Sequence, residues 1–73
     1  MASIDVKSEI TGTIWKIEVK AGDKVAEEDV LIIIESMKME IPVLAPEAGT
    51  VAEILVKEEE PIKEGQLLAR LHT

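Results

Sequence analysis

Apolar and polar residues alternate along most of this 73-residue chain in short runs, with the period of two expected of strands. The pattern predicts strands over Ile4–Lys7, Thr13–Lys20, Val30–Ser36, Met39–Leu44, Thr50–Lys57 and Leu67–His72, with short pairings near Val25 and Ile62. Turn residues separate them: Ala21-Gly22-Asp23, Ala45-Pro46-Glu47-Ala48-Gly49 and Glu64-Gly65. The run Lys57-Glu58-Glu59-Glu60-Pro61 reads as an exposed charged turn, since Pro61 opposes the helix that three glutamates would otherwise allow.

The pattern occurs twice. With Gly12 laid on Gly49, an offset of 37 residues, Gly12-Thr13 meets Gly49-Thr50, and Ile17, Val19, Lys20, Glu27 and Leu31 meet identical residues at 54, 56, 57, 64 and 68. A solenoid needs about three stacked units and this chain has room for two, so the copies are expected to close on each other around one core. Alternation makes Val30, Ile32 and Ile34 the core face of their strand, because the opposite set contains Arg70 in the second copy. Ile14 and Val51 break the alternation at equivalent places, which predicts a bulge or a strand passing between sheets. Trp15, aligned with Ile17 and Val19, is expected at the core or its rim.

Composition narrows the class. A chain this small buries only about 60% of the surface its unfolded form exposes, so one domain over residues 1–73 must fill its inner faces well. It has no cysteine and a single histidine, which removes disulfide and zinc staples. Trp15 is the only aromatic residue among 47% hydrophobic positions, leaving a β-prone core of Ile, Val and Leu. A net charge of −7 opposes binding to nucleic acid and suits a partner with a basic surface. The N-terminal MASIDVKSE lacks the pattern of a secretory signal, and the longest apolar run, Val30–Ile34, is far short of the roughly 20 residues of a membrane span. A cytoplasmic protein that engages no membrane is expected.

The connection between the copies carries the candidate chemistry: Glu35-Ser36-Met37-Lys38-Met39-Glu40-Ile41-Pro42. A lysine in a turn ordinarily does no more than meet solvent. Here it stands alone between two methionines, mid-chain and at the centre of a repeat. If Met37 and Lys38 are the central residues of a tight hairpin, Ser36 faces Met39, Glu35 faces Glu40, Ile34 faces Ile41 and Ile33 faces Pro42. Ile34 and Ile41 then share the core face. Pro42 falls in a non-hydrogen-bonded pair, its missing N–H directed away from that partner, as on an edge strand. The same register opposes two carboxylates, which costs a few tenths of a kcal/mol, and it demands positive φ of Met and Lys, where Asn-Gly would serve better. Stability does not select these residues, so recognition by an enzyme is the expected reason for them.

The run MKM, with APEAG (Ala45–Gly49) and AGDKV (Ala21–Val25), resembles the biotin/lipoyl attachment family, from about Ile4 to Leu71 and among its small free-standing members. The resemblance implies an all-β flattened barrel-sandwich hybrid of two antiparallel sheets with quasi-twofold symmetry and the modified lysine at a hairpin tip. It implies covalent biotin on Lys38, with Met37, Met39, Glu35 and Glu40 as the recognition flank. The chain would then be a carrier without catalysis of its own. A lysine amine is protonated at neutral pH, and biotin protein ligase would activate it. The biotin arm would pass a carboxyl group between biotin carboxylase and carboxyltransferase sites. Glu28-Asp29 and Glu59-Glu60 replace the family's Gly-Asp and put those turns in question.

Other classes remain open at this point. A lipoyl carrier shares the fold, but its lysine usually sits in DKA. A phosphocarrier would need His72, next to the C-terminus, and a phosphopantetheine carrier would need Ser36 on what is usually a helical fold. A module that keeps the fold and has lost the modification is the last alternative.

Overall fold

The computed structural model describes residues 2–73. Eight strands form two antiparallel sheets: β1 (Ser3–Lys7), β2 (Gly12–Ile17), β3 (Lys24–Val25), β4 (Val30–Ser36), β5 (Met39–Leu44), β6 (Gly49–Ile54), β7 (Pro61–Ile62) and β8 (Leu67–His72). One sheet has the order β1-β8-β6-β3 and the other β5-β4-β2-β7. Each sheet takes strands from both copies of the repeat. The short β3 and β7 cross to the far sheet, so neither half closes a core without the other. The expected all-β barrel sandwich is present, 36 × 17 × 17 Å in extent.

The 37-residue offset holds residue by residue. Ser3, Ile4, Asp5, Val6 and Lys7 pair with His72, Leu71, Arg70, Ala69 and Leu67, while Glu40, Ile41, Pro42, Val43 and Leu44 pair with Glu35, Ile34, Ile33, Ile32 and Val30. The Ser36–Met39 pair that opens the hairpin has its counterpart in Thr73 and Ala2, whose backbones exchange bonds of 2.9 and 3.1 Å at the opposite end of the sandwich.

Two assignments of faces are corrected. The inner face of β4 is Leu31, Ile32 and Ile34, all fully buried, whereas Val30 is 38% exposed. A bulge at Leu31 puts two adjacent residues opposite Val43, and Leu68 does the same opposite Val6 in the other sheet. The expected irregularity in β2 and β6 is likewise a bulge, at Trp15 and at Ala52. It sends Ile14 and Val51 into the core and leaves Trp15 outside it, 42% exposed. Strands β2 and β6 also end at Ile17 and Ile54, earlier than the alternation suggested, because the chain turns there toward β3 and β7.

The turns without the family's glycine keep the glycine conformation. Glu28 and Glu59 have φ of 72° and 71°, and their counterparts in the other copy are Gly65 and Gly22, with φ of 85° and 96°. Carboxylate or amide caps close all four turns: Asp23 on the Lys20 N–H, Glu60 on Lys57, Asp29 on Ala26 and Gln66 on Lys63.

Ile34→Ala and Leu71→Ala each remove a fully buried side chain and should cost about 2–5 kcal/mol in denaturant unfolding; a loss near zero at either would refute the shared core. Glu28→Gly and Glu59→Gly relieve a left-handed backbone that costs a non-glycine residue roughly 1–2 kcal/mol, offset in part by glycine entropy. Each should raise the melting temperature by several degrees.

Candidate functional site

The hairpin joining β4 to β5 has the register that alternation gives: Ser36 opposite Met39, Glu35 opposite Glu40, Ile34 opposite Ile41 and Ile33 opposite Pro42. Met37 and Lys38 are its two central residues, with φ of 53° and 65°, both left-handed as a type I′ turn requires. Lys38 is exposed at the apex. Met37 is 92% and Met39 61% exposed, so the methionines flank the lysine in solvent and do not cap the barrel. β5 is an edge strand, which accommodates Pro42.

Two contacts that sequence reading missed hold the base of this hairpin. Ser36 Oγ donates to the Thr11 carbonyl at 2.9 Å, and the Thr11 hydroxyl accepts the Glu64 N–H at 3.2 Å. Gly12 lets β2 close against the same spot: a Cβ there would sit 2.5 Å from the Glu35 carbonyl oxygen and 2.9 Å from Ile34 Cγ2. The Gly12/Gly49 match marked that position in the sequence, whereas nothing in the sequence marked the Ser36–Thr11 bond.

Around the tip the exposed groups are one amine, two thioethers and two carboxylates. Glu35 and Glu40 are exposed and opposed. The only ion pairs among the described residues are those of Arg70, at the other sheet, so Lys38 and both carboxylates are unpaired. Among the described residues no three His, Cys, Asp or Glu side chains gather as a metal site. His72, the phosphocarrier candidate, lies exposed at the end of β8, away from the lysine. A groove of about 440 Å³ opens between the edge strands β1 and β5 and is lined mainly by apolar residues such as Val6, Ile10, Ile41 and Val43. No helix of the described residues is long and apolar enough to cross a membrane.

A two-layer β sandwich with internal twofold symmetry and a solvent-exposed lysine at a type I′ tip is the architecture of a biotin/lipoyl attachment domain, and the family model described as "Biotin-requiring enzyme" matches residues 2–71. The chain belongs to that family. It is 42% identical over 66 residues to the biotin/lipoyl attachment protein of Bacillus subtilis, covering 90% of each chain. It is 45% identical over 65 residues to the biotinylated protein TB7.3 homolog of Mycobacterium leprae, covering 89% of this chain and 92% of that one. Among solved structures, the urea carboxylase of Kluyveromyces lactis superposes with a TM-score of 0.93 at 38% identity over 99% of this chain, which spans 6% of that enzyme. The lipoyl domain of the 2-oxoglutarate dehydrogenase complex of Azotobacter vinelandii superposes with a TM-score of 0.81 at 30% identity, covering 96% of each.

Exposed methionines contribute little packing, so replacing both by the lipoyl-type residues, Met37→Asp with Met39→Ala, should change stability by less than about 1 kcal/mol. Aspartate also tolerates the left-handed backbone at position 37 better than methionine does. A loss of several kcal/mol on thermal unfolding would show instead that the methionines support the fold.

Proposed function

We propose that this chain is a biotin carboxyl carrier whose single attachment domain, residues 1–73, holds biotin in an amide on Lys38. The observation that carries the reading is the exposed Lys38 at the apex of a left-handed two-residue turn, flanked by exposed Met37 and Met39. The lipoyl domain among the structural neighbours has the same fold, so the fold does not choose the cofactor. The Met-Lys-Met flank and the identity to a biotinylated protein support biotin.

The chemistry required of Lys38 is one acyl transfer. Its neutral Nζ attacks the acyl carbon of biotinyl adenylate, the amide C–N bond forms, AMP leaves and the amine proton passes to a base. Among the described residues no side chain hydrogen-bonds or ion-pairs with Lys38, so biotin protein ligase supplies the base, and Met37, Met39, Glu35 and Glu40 form the flank the ligase reads. The family is found within carboxylases, as in the pyruvate carboxylase of B. subtilis, of which the matching region is 6%. Biotin carboxylase is accordingly the partner that loads the arm, and a carboxyltransferase unloads it. The tether raises the effective concentration of carboxybiotin at both sites without adding a contact. The location that fits is the cytoplasm, where the ATP that ligation and carboxylation consume is at hand.

Incubation with biotin ligase, ATP and biotin should raise the intact mass by one biotinyl group. Lys38→Arg should keep the fold and take up none; incorporation at another lysine in that variant would overturn the assignment. Met37→Asp with Met39→Ala should lower ligase kcat/KM about tenfold, the equivalent of about 1.4 kcal/mol of transition-state binding.

A further inference from the structure

The internal twofold gives each surface position a control. Residues 37 apart do the same structural work, so where an exposed pair differs in chemistry the fold is not the cause. On the outer face of the β1-β8-β6 sheet, Asp5, Arg70 and Glu53 form one cross-strand row. Arg70 Nε donates to Asp5 at 3.2 Å and Nη1 to Glu53 at 2.9 Å, which closes the row on itself and pushes the guanidinium pKa up.

The equivalent row on the lysine-bearing sheet is Pro42, Ile33 and Lys16. The bulge adds Trp15 beside it, with the Lys16 ammonium 5.9 Å from the ring centre, where the other copy has Ala52. One row farther from the tip, Leu44 faces Val30, 43% and 38% exposed, in place of Lys7 facing Leu67. One row nearer the tip, Glu35 faces Glu40, where the other sheet has His72 facing Ser3. One outer face is thus a sealed ionic row. Its twin is an apolar strip of Pro42, Ile33, Trp15, Leu44 and Val30 edged by Lys16, and between it and Lys38 lie two carboxylates that form no ion pair among the described residues.

We propose that the outer face of β5-β4-β2 is the docking surface for the enzyme that modifies Lys38. Ile33, Pro42 and Trp15 take an aliphatic or aromatic knob of that enzyme, and one of its guanidinium or ammonium groups sits between Glu35 and Glu40. The inference rests on Lys38 being the biotin acceptor. Reach selects the partner: an enzyme acting on the bare lysine must bring its reacting atoms to the hairpin and press on the body, whereas one that meets the finished arm works an arm's length away. The 33/42 row lies four to five residues from the tip, about 13–16 Å at ~3.3 Å per residue. A standard footprint of about 800 Å² per partner is about 28 Å across and covers tip and strip together. A partner cation between Glu35 and Glu40 also relieves their mutual repulsion.

The repeat supplies the test. Trp15→Ala, Lys16→Glu, Ile33→Arg and Pro42→Asp together install the other sheet's row in the lysine-bearing sheet, with side chains the fold already carries at equivalent places. Biotin transfer to Lys38 by the ligase should lose about tenfold in kcat/KM, mainly through KM, with kcat held within about twofold. Arg70→Ile on the other face should change kcat/KM by less than about twofold. Trp15→Ala alone, with the smaller loss expected of one contact, carries the test if the fourfold variant does not fold. Unchanged kcat/KM in a folded variant would overturn the proposal, as would an equal loss from Arg70→Ile. So would a dimer of the unmodified chain that the swap dissolves without altering ligase kinetics. Absence of any modification of the wild-type chain on Lys38 would instead refute the carrier reading itself.

Discussion

The contact between two inner faces, Ile14, Leu31, Ile32 and Ile34 against Val51, Leu68, Ala69 and Leu71, holds the rest of the molecule in place. No disulfide spans it, and aromatic rings do not fill it. Aliphatic side chains from both copies interdigitate, and β3 and β7 cross to the far sheet, so Val25 and Ile62 plug the ends of the core. At this size the buried fraction is low and stability is of the order of 4–11 kcal/mol by residue count. Each fully buried aliphatic residue is therefore a sizeable share of the total, and the two halves stand or fall as one unit.

Against that symmetric frame, departures from symmetry separate structural from functional demands. Glu28 and Glu59 carry left-handed backbone where the other copy has Gly65 and Gly22, a tolerated misfit in exposed turns already closed by caps. Met37 and Lys38 carry it with no glycine counterpart at all, in the exposed turn that joins β4 to β5. The opposed carboxylates Glu35 and Glu40 add repulsion at the same spot. Strain and like charge are thus concentrated beside one exposed lysine, in a fold whose packing gains nothing from them.

The hairpin was legible in the sequence because several constraints agreed: Ile34 and Ile41 had to share the core, Pro42 needed a non-hydrogen-bonded edge position, and the repeat fixed where each copy ended. The face of β4 was less legible because Val30 to Ile34 are all apolar, and a run without polar residues gives alternation nothing to count. The bulge at Leu31, which puts Val30 outside, leaves no trace in such a run. Trp15, expected at the core or its rim, is turned outward beside Lys16 by the bulge next to Ile14. Lys38 could be placed from its neighbours alone. The Ser36–Thr11 bond could not, since it joins segments 25 residues apart through a serine that any turn might contain.

The tip strain also bears on how such a carrier works. Two consecutive left-handed residues cost roughly 2–4 kcal/mol together, a large fraction of what a chain of this size has to spare. They persist because the pair directly behind them, Ile34 and Ile41, is anchored in the core, and because Gly12 and the Ser36–Thr11 bond hold β2 and the 8–11 loop against the hairpin base. A hairpin base held by these contacts favours motion of the Lys38 side chain over motion of the turn itself. On the proposed carrier reading, the volume swept by the biotin arm would be set by arm length and not by fluctuation of the hairpin, and a small swept volume would keep its effective concentration at the partner sites high. Rigidity at the strained turn and mobility beyond it are two sides of one requirement, and the aliphatic core meets it from behind.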